Sequence, residues 1–83
     1  MTSQQRRILE VLAAHEGEMY GLDLVAAGAA SRMSLYVELA RLEDRGWIEG
    51  REEPPSTATI ARRIYRITSA GAAALLPQAE VVR

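Results

Sequence analysis

The chain has no cysteine and only one histidine, and these absences exclude several classes of protein. Without cysteine there is no disulfide framework and no thiolate zinc site, and an intracellular, cytoplasmic protein is favoured. No segment approaches the roughly 20 apolar residues that a membrane-spanning helix needs, so no membrane association is expected. The first residues are polar and charged and lead into a mixed segment, which does not match a secretory signal.

The residue sets that carry catalysis are also missing. His15, the single imidazole, has no nearby partner at metal-ligand spacing, and we interpret it as a polar residue at a helix end. The chain has no paired Ser/His or Cys/His set and no glycine-rich loop of the kind that binds phosphate. The sequence therefore predicts a protein that is not an enzyme and that uses no cofactor or metal.

Length and charge limit what remains. With 83 residues, 48% of them hydrophobic, the chain forms one small domain. A core of this size gives a net stability of only about 3–5 kcal/mol, so a second subunit is a reasonable expectation. The net charge of −1 is not that of a non-specific nucleic-acid binder. All ten basic residues are arginine, which suits phosphate and guanine contacts, although a G+C-rich genome explains this bias more simply.

The most informative stretch begins at Ser31, which is a typical helix N-cap. Gly46 suits the left-handed position that ends a helix. Between them Leu35, Leu39 and Leu42 recur at i, i+4 and i+7, so they form one apolar stripe along a helix. This pattern predicts a helix with one side packed on a core.

The opposite side of this helix carries a mixture of small, hydroxyl, apolar and arginine side chains. A helix that contacts base edges in a DNA major groove needs such a mixture, because apolar groups meet thymine methyls and arginines meet guanine. An ordinary solvent-exposed face explains the same pattern equally well. The members of this face are Met33, Ser34, Val37, Arg41 and Asp44, with Arg32 and Tyr36 on its flanks.

Two helices are predicted before this one. Residues 3–15 form the first, with Thr2 or Ser3 as N-cap and Gly17 at its end. A short helix over about residues 21–28 follows, and a tight turn links it to the central helix, an arrangement typical of a helix-turn-helix unit. The inward-facing residues of the short helix are expected to be Leu22, Val25 and Ala26.

A hairpin is predicted after the central helix. Residues 47–51 and 63–68 are strand-like, and the prolines at 54–55 break the pairing between them. A helix-turn-helix followed by a hairpin is a winged helix. The returning strand opens with Arg62 and Arg63, which are placed to contact phosphate or a minor groove, or else to keep an edge strand soluble.

A last helix is predicted over residues 69–76, with Thr68 as N-cap and Pro77 as its stop. It is almost uncharged, so another helix of this domain or of a second subunit is expected to pack on it. The predicted fold class is α+β, mostly α: a winged helix-turn-helix with three helices, a two-stranded wing and a C-terminal helix. It occupies residues 1–76, and residues 77–83 form a short tail.

Three sequence blocks occur in order along the chain. They are Met19-Tyr20-Gly21-Leu22-Asp23-Leu24, Ser31-x-x-Ser34-Leu35-Tyr36-x-x-Leu39-x-Arg41-Leu42-Glu43-x-x-Gly46-Trp47-Ile48 and Arg62-Arg63-Ile64-Tyr65-Arg66-Ile67-Thr68-x-x-Gly71. Together they resemble the winged-helix domain of PadR-type transcriptional regulators over about residues 8–76. The resemblance implies a homodimeric bacterial repressor whose third helix enters major grooves and whose wing touches the flanking backbone.

By position, the resemblance places the segment from Ser31 to Val37 at the DNA, with Tyr36 toward phosphate. Val37 stands where the family often has proline, and Met33 where it often has glycine, so the resemblance does not imply a base preference. Many members continue into a helical dimerisation domain, and we expect this chain to be a short form without it. A homodimer is then expected to form through the first and last helices.

The leading hypothesis is a sequence-specific regulator of double-stranded DNA, a repressor acting as a homodimer, with no effector predicted. Arg41 is the strongest candidate for a base contact. The alternative is a winged-helix module for protein association in which DNA binding is lost or secondary, as the acidic balance and the alanine-rich last helix suggest. The predicted DNA-binding residues are Ser31, Arg32, Met33, Ser34, Tyr36, Val37, Arg41, Arg62 and Arg63.

Overall fold

Seven elements follow one another in the computed structural model, which describes residues 1–15, 18–53 and 62–76. They are α1 (Ser3–Ala14), β1 (Met19–Tyr20), α2 (Gly21–Ala26), α3 (Arg32–Asp44), β2 (Ile48–Glu53), β3 (Arg62–Ile67) and α4 (Ser69–Ala74). None of the helices within these ranges has the length and apolar character that crossing a membrane requires.

The strands form one antiparallel sheet in the order β1-β3-β2. β2 and β3 pair along their whole length, from Ile48 opposite Ile67 to Glu53 opposite Arg62. β1 joins the other edge of β3 through two residues. The predicted winged helix-turn-helix is confirmed, and the sheet has this third strand in addition. A two-residue strand has no alternation to detect in the sequence.

The core lies between α3, α1 and the sheet. Leu35, Leu39 and Leu42 are at most 1% exposed, so the predicted apolar stripe of α3 does face the core. Each such side chain contributes roughly 1.5–3 kcal/mol through burial. The side chains that complete the core around this stripe are Ile8, Leu9, Leu12, Met19, Leu24, Ala29, Ile48 and Tyr65.

α2 packs differently from the prediction. Leu24 is its buried side chain, whereas Leu22 is 55% exposed and Ala26 is also exposed. Of the three residues predicted to face inward, Val25 alone packs against the core. The helix has only six residues, which is too few for the 3.6-residue period to define an apolar side. Its packing against β1 and α3 decides which residue is buried.

The predicted helix signals at α1 and α3 are confirmed. Thr2 Oγ1 accepts a hydrogen bond from the Gln5 N–H at 3.0 Å, and Ser31 Oγ accepts one from the Ser34 N–H at 3.3 Å. Gly46 has φ +76°, a conformation that costs glycine nothing and other residues about 1 kcal/mol. Gly17, the predicted end of the first helix, lies outside the described residues.

α4 is fixed to the end of α3 by Thr68, which also serves as its predicted N-cap. Thr68 Oγ1 donates to the Gly46 carbonyl at 2.6 Å and accepts from the Gly71 N–H at 3.1 Å. The Thr68 N–H donates to the Trp47 carbonyl at 3.0 Å. At Gly71 the backbone of α4 touches the same carbonyl, so that a β-carbon there would overlap it. The predicted stop at Pro77 and the predicted tail, residues 77–83, lie outside the described residues.

Gly71→Ala tests this close approach. The added methyl group would push α4 away from Trp47, and such overpacking costs about 1–3 kcal/mol of the free energy of unfolding. Urea unfolding followed by circular dichroism measures the loss. Ala72→Ser, at an exposed position of the same helix, is the control and should change the stability by less than about 0.5 kcal/mol. Equal midpoints for Gly71→Ala and the parent protein would contradict the packing described here.

Candidate nucleic-acid interface

The outer face of α3 is open to solvent. Met33 is 92% exposed, Tyr36 54% and Val37 52%, although all three carry large apolar groups. Arg32 and Arg41 are exposed beside them. Five of the predicted DNA-binding residues therefore lie together on one accessible side of a 13-residue helix. We call this side the α3 outer face; it comprises Arg32, Met33, Tyr36, Val37 and Arg41.

A buried polar contact holds α3 against α1. Gln5 Nε2 donates to Glu38 Oε1 at 2.8 Å, and the two residues are only 3% and 9% exposed. Gln5 Oε1 in turn accepts a hydrogen bond from the Thr2 N–H at 3.3 Å. A buried carboxylate without partners is costly, so this bond fixes how α3 is rotated on α1.

This contact was not predicted from the sequence. Two signals for it were present: Gln5 stands three residues after the capping Thr2, and Glu38 falls among the leucines of the apolar stripe, between Leu35 and Leu42. A glutamate at a core position needs a buried donor. The sequence does not say which residue supplies it.

The two predicted serines have partners inside the protein. Gln4 Nε2 donates to Ser34 Oγ at 2.8 Å, and the hydroxyls of Ser34 and Ser31 are 2.9 Å apart. Ser34 is half-buried, whereas Ser31 is exposed at the N-cap. The Gln4 bond fixes the first turn of α3 against α1, and both hydroxyls still lie at the end of the helix where the outer face begins.

Tyr36 lies where α3 meets the start of α2. A β-carbon at Gly21 would be 3.1 Å from Tyr36 Oη, so glycine provides the space for the phenol. The residue as a whole remains about half exposed. Tyr36 therefore presents its ring beside the helix-turn-helix junction.

Arg63 lies on the wing side of α3, where its guanidinium meets Glu43. Arg63 Nη2 is 3.0 Å from Glu43 Oε2, and the guanidinium carbon is 5.9 Å from the centre of the Tyr65 ring. The hydrogen bond and the charge of Glu43 raise the pKa of Arg63. Burial raises the pKa of Tyr65, because the phenolate would lose its hydration. Arg62 begins β3 opposite Glu53, and its side chain lies outside the described part of the chain.

The other arginines of the sheet also have acidic partners. Arg51 Nη2 is 2.8 Å from Glu18 Oε1, and Arg66 Nη2 is 2.9 Å from Glu49 Oε1. Both pairs are on the sheet face opposite Arg63, as the alternation along β2 and β3 requires. Such exposed pairs contribute little stability, but each neutralises a charge locally.

Arg41 has a weaker ion pair than the sheet arginines. Its side chain is 62% exposed, and its nearest acidic partner is Glu38 at 3.9 Å. It borders an open cleft of about 430 Å³, which the start of α1 and the last turn of α3 form. Arg45, in the same cleft, stacks over the Trp47 ring at 4.9 Å. Arg41 is therefore free to reach a ligand that lies across the outer face.

The interface contains no metal-binding cluster. In the described ranges, no three or more His, Cys, Asp or Glu side chains are grouped so as to hold an ion. What the α3 outer face presents is apolar surface together with arginine. Its chemistry fits the grooves of a nucleic-acid duplex better than a small polar substrate.

Comparison with known proteins gives a family match. The model of the family described as "Transcriptional regulator PadR-like family" matches residues 8–76. Among solved structures, the chain is similar to Bacillus subtilis PadR in complex with operator DNA, with a TM-score of 0.74 and 25% sequence identity. That match covers 95% of this chain and 46% of the Bacillus protein, so the chain spans less than half of that protein's length.

Two further structures have most of their length in common with the chain. A transcriptional regulator from Clostridium thermocellum is 28% identical with a TM-score of 0.67, and the match covers 86% of this chain and 73% of that one. A PadR family transcription regulator from Clostridium difficile R20291 has a TM-score of 0.77 at 18% identity, covering 89% and 80%, and shows the fold alone. No curated protein matches significantly.

Gln5→Ala tests the contact that orients α3. The substitution leaves the buried Glu38 carboxylate without its donor, so we expect a loss of about 1–3 kcal/mol in the free energy of unfolding. Arg7→Ala, at an exposed position of α1, is the control and should have little effect. Chemical denaturation compares the two variants, and equal stability would show that the Gln5–Glu38 bond does not hold the helices together.

Proposed function

The chain belongs to the PadR-like family of transcriptional regulators, and we propose that it binds double-stranded DNA through the α3 outer face and represses transcription as a homodimer. Membership in a family of regulators agrees with the prediction that the chain is not an enzyme. The observation that carries the proposal is the contrast between the two sides of α3. One side is fully buried leucine, while the other exposes Met33, Tyr36 and Val37.

The exposed apolar groups favour a groove contact over a solvent-exposed face. Met33 is almost completely accessible, and in water its side chain gains nothing from that position. In a major groove, the same methyl groups meet thymine methyls, and nearby arginines meet guanine or phosphate. The 13 residues of α3 form a helix about 20 Å long and about 10–12 Å across with its side chains, so its width fits a major groove about 12 Å wide.

The solved structure of Bacillus subtilis PadR supports the same conclusion, because that protein was crystallised with its operator DNA. In this chain we assign phosphate contacts to Ser31, Arg32 and Tyr36, which lie at or near the start of α3. Base contacts are assigned to Met33, Val37 and Arg41, with Ser34 between the two groups. Arg62 and Arg63 are assigned to the flanking backbone. These assignments make residues 1–76 the DNA-binding domain and residues 77–83 a tail.

A homodimer through α1 and α4 is part of the proposal. α4 has exposed alanines and no charge along its length, and Leu76 just after it is 61% exposed. Such a surface suits contact with a second copy. Two copies would place two α3 helices in successive major grooves, so the operator should contain half-sites about 34–36 Å apart. Repression then follows if the operator overlaps a promoter.

A protein-association module is the second candidate. It is favoured by the sheet arginines, since Arg51, Arg63 and Arg66 each have a glutamate partner. The net charge of −1 points the same way. Binding to random duplex DNA separates the candidates, because a DNA-binding protein has salt-sensitive affinity even without its operator.

Arg41→Ala is the sharpest test of the interface. We expect the substitution to weaken binding to a selected operator by about 1–3 kcal/mol, because it removes a base contact. Arg66→Ala is the matched control: it removes the same charge from a side chain of similar exposure on the far sheet face. The operator is first selected from a random DNA pool with the purified protein, and fluorescence anisotropy then gives the affinities.

The binding measurements on the two variants and the parent protein have three distinct outcomes. Weaker operator binding by Arg41→Ala, with Arg66→Ala close to the parent, supports the assignment of base contacts to α3. Equal losses in the two variants would show that only net charge matters. No salt-dependent retention of the parent protein on any duplex at low salt would overturn DNA binding and favour the association module.

A further inference from the structure

We propose that Glu43 is a specificity-determining residue, which holds the wing arginine Arg63 in an intramolecular ion pair and so limits binding to random DNA. The inference rests on the proposed DNA-binding function and adds to it. Arg63 was predicted as a phosphate ligand. The structure instead provides it with a carboxylate that a phosphate has to displace.

The pair is built into the fold. Glu43 lies in the last turn of α3, and Arg63 Nη2 donates to its Oε2 at 3.0 Å. A β-carbon at Gly50 would be 2.8 Å from Glu43 Oε2 and 3.1 Å from Arg63 Nη2. A glycine in β2 therefore leaves the space that the two side chains occupy. The Glu43 side chain is only 28% exposed, so water screens this pair less than an open surface pair.

The charges around Arg63 strengthen the effect. Glu52 is the residue directly opposite Arg63 in the β2–β3 register, so a second carboxylate lies close by. The pKa of Arg63 is raised by Glu43, which reflects the same attraction. Arginine is charged at every accessible pH, so the pair does not switch with pH. What changes is its partner, which is a carboxylate in the free protein and a phosphate in the complex.

This exchange of partners affects random and specific DNA differently. Random DNA offers mainly phosphate contacts. The free energy that Arg63 gains from a phosphate is then mostly cancelled by the cost of breaking its ion pair with Glu43. A specific site adds base contacts with the α3 outer face, and these favour the close approach in which Arg63 leaves Glu43. Glu43 thus raises the ratio of specific to non-specific affinity and keeps the wing from acting as a general polycation.

The test compares Glu43→Gln with Glu49→Gln. Both substitutions change the net charge from −1 to 0 and release one arginine, but Glu49 holds Arg66 on the opposite sheet face. We expect Glu43→Gln to raise the affinity for a random duplex by about three- to tenfold near 50 mM salt and to steepen the log–log salt dependence by about one unit. Glu49→Gln should stay within about twofold of the parent, because Arg66 lies away from the DNA.

Arg63→Ala, made both in the parent protein and together with Glu43→Gln, completes a double-mutant cycle for the pair. In the parent protein it should lower random-duplex affinity by less than about twofold, because Glu43 already neutralises the arginine. In the Glu43→Gln background it should cancel the whole gain. Equal affinities for Glu43→Gln and Glu49→Gln would overturn the proposal, as would a gain in Glu43→Gln that survives Arg63→Ala.

Two further measurements keep the test decisive. Thermal unfolding checks that each variant folds. If Glu43→Gln does not fold, the Arg63 side-chain NMR signals of the parent protein are followed as random duplex is added. Signals that move at low salt and return at high salt support a change of partner, and signals that do not move overturn it. If the parent and both glutamine variants lack salt-dependent binding, the proposed DNA-binding function has failed; if the parent binds and only the difference between variants is missing, this inference alone has failed.

Discussion

The buried hydrogen bond between Gln5 and Glu38 is the contact on which the exposed side of α3 depends. The leucines of α3 would tolerate small rotations of the helix, because apolar packing has little directionality. A carboxylate with one fixed donor does not, because a rotation would leave it buried without that hydrogen bond. Gln4 adds a second bond at Ser34, one turn earlier on α3. α1 therefore determines which side chains α3 presents to solvent.

Local signals predicted the helices well. Ser31, Gly46 and the leucine stripe lie within one stretch of chain, and each acts on its own neighbours, so the position and buried side of α3 follow directly. β1 did not follow, because it forms only by pairing with β3, far along the chain. The inward side of α2 did not follow either, because the packing of this short helix against β1 and α3 decides it. The exposed members of the candidate site were predicted as one helical face. The partners Gln5 and Glu38 were not, because 33 residues separate them.

The charge distribution accounts for a net negative protein with an arginine-rich wing. Three sheet arginines, Arg51, Arg63 and Arg66, each have a glutamate from a different element as partner: Glu18 before β1, Glu43 in α3 and Glu49 in β2. These partners add little to the free energy of unfolding. Their effect is electrostatic, since they leave a weak field around the sheet, while on the outer face of α3 Arg41 has only a distant partner, Glu38 at 3.9 Å. The net charge counted from the sequence gives only the total and does not show this difference between the sheet and α3.

The Thr68 hydroxyl has a mechanical consequence. It is bonded to Gly46, which directly follows the end of α3, and to Gly71 in the first turn of α4, with Trp47 held between the two. The end of one helix and the start of the other are therefore coupled directly by hydrogen bonds and backbone contact. We expect a displacement of α4 by a neighbouring molecule to be passed through these contacts to the end of α3. A six-residue helix at the end of the domain is thus in direct mechanical contact with the helix proposed to meet DNA.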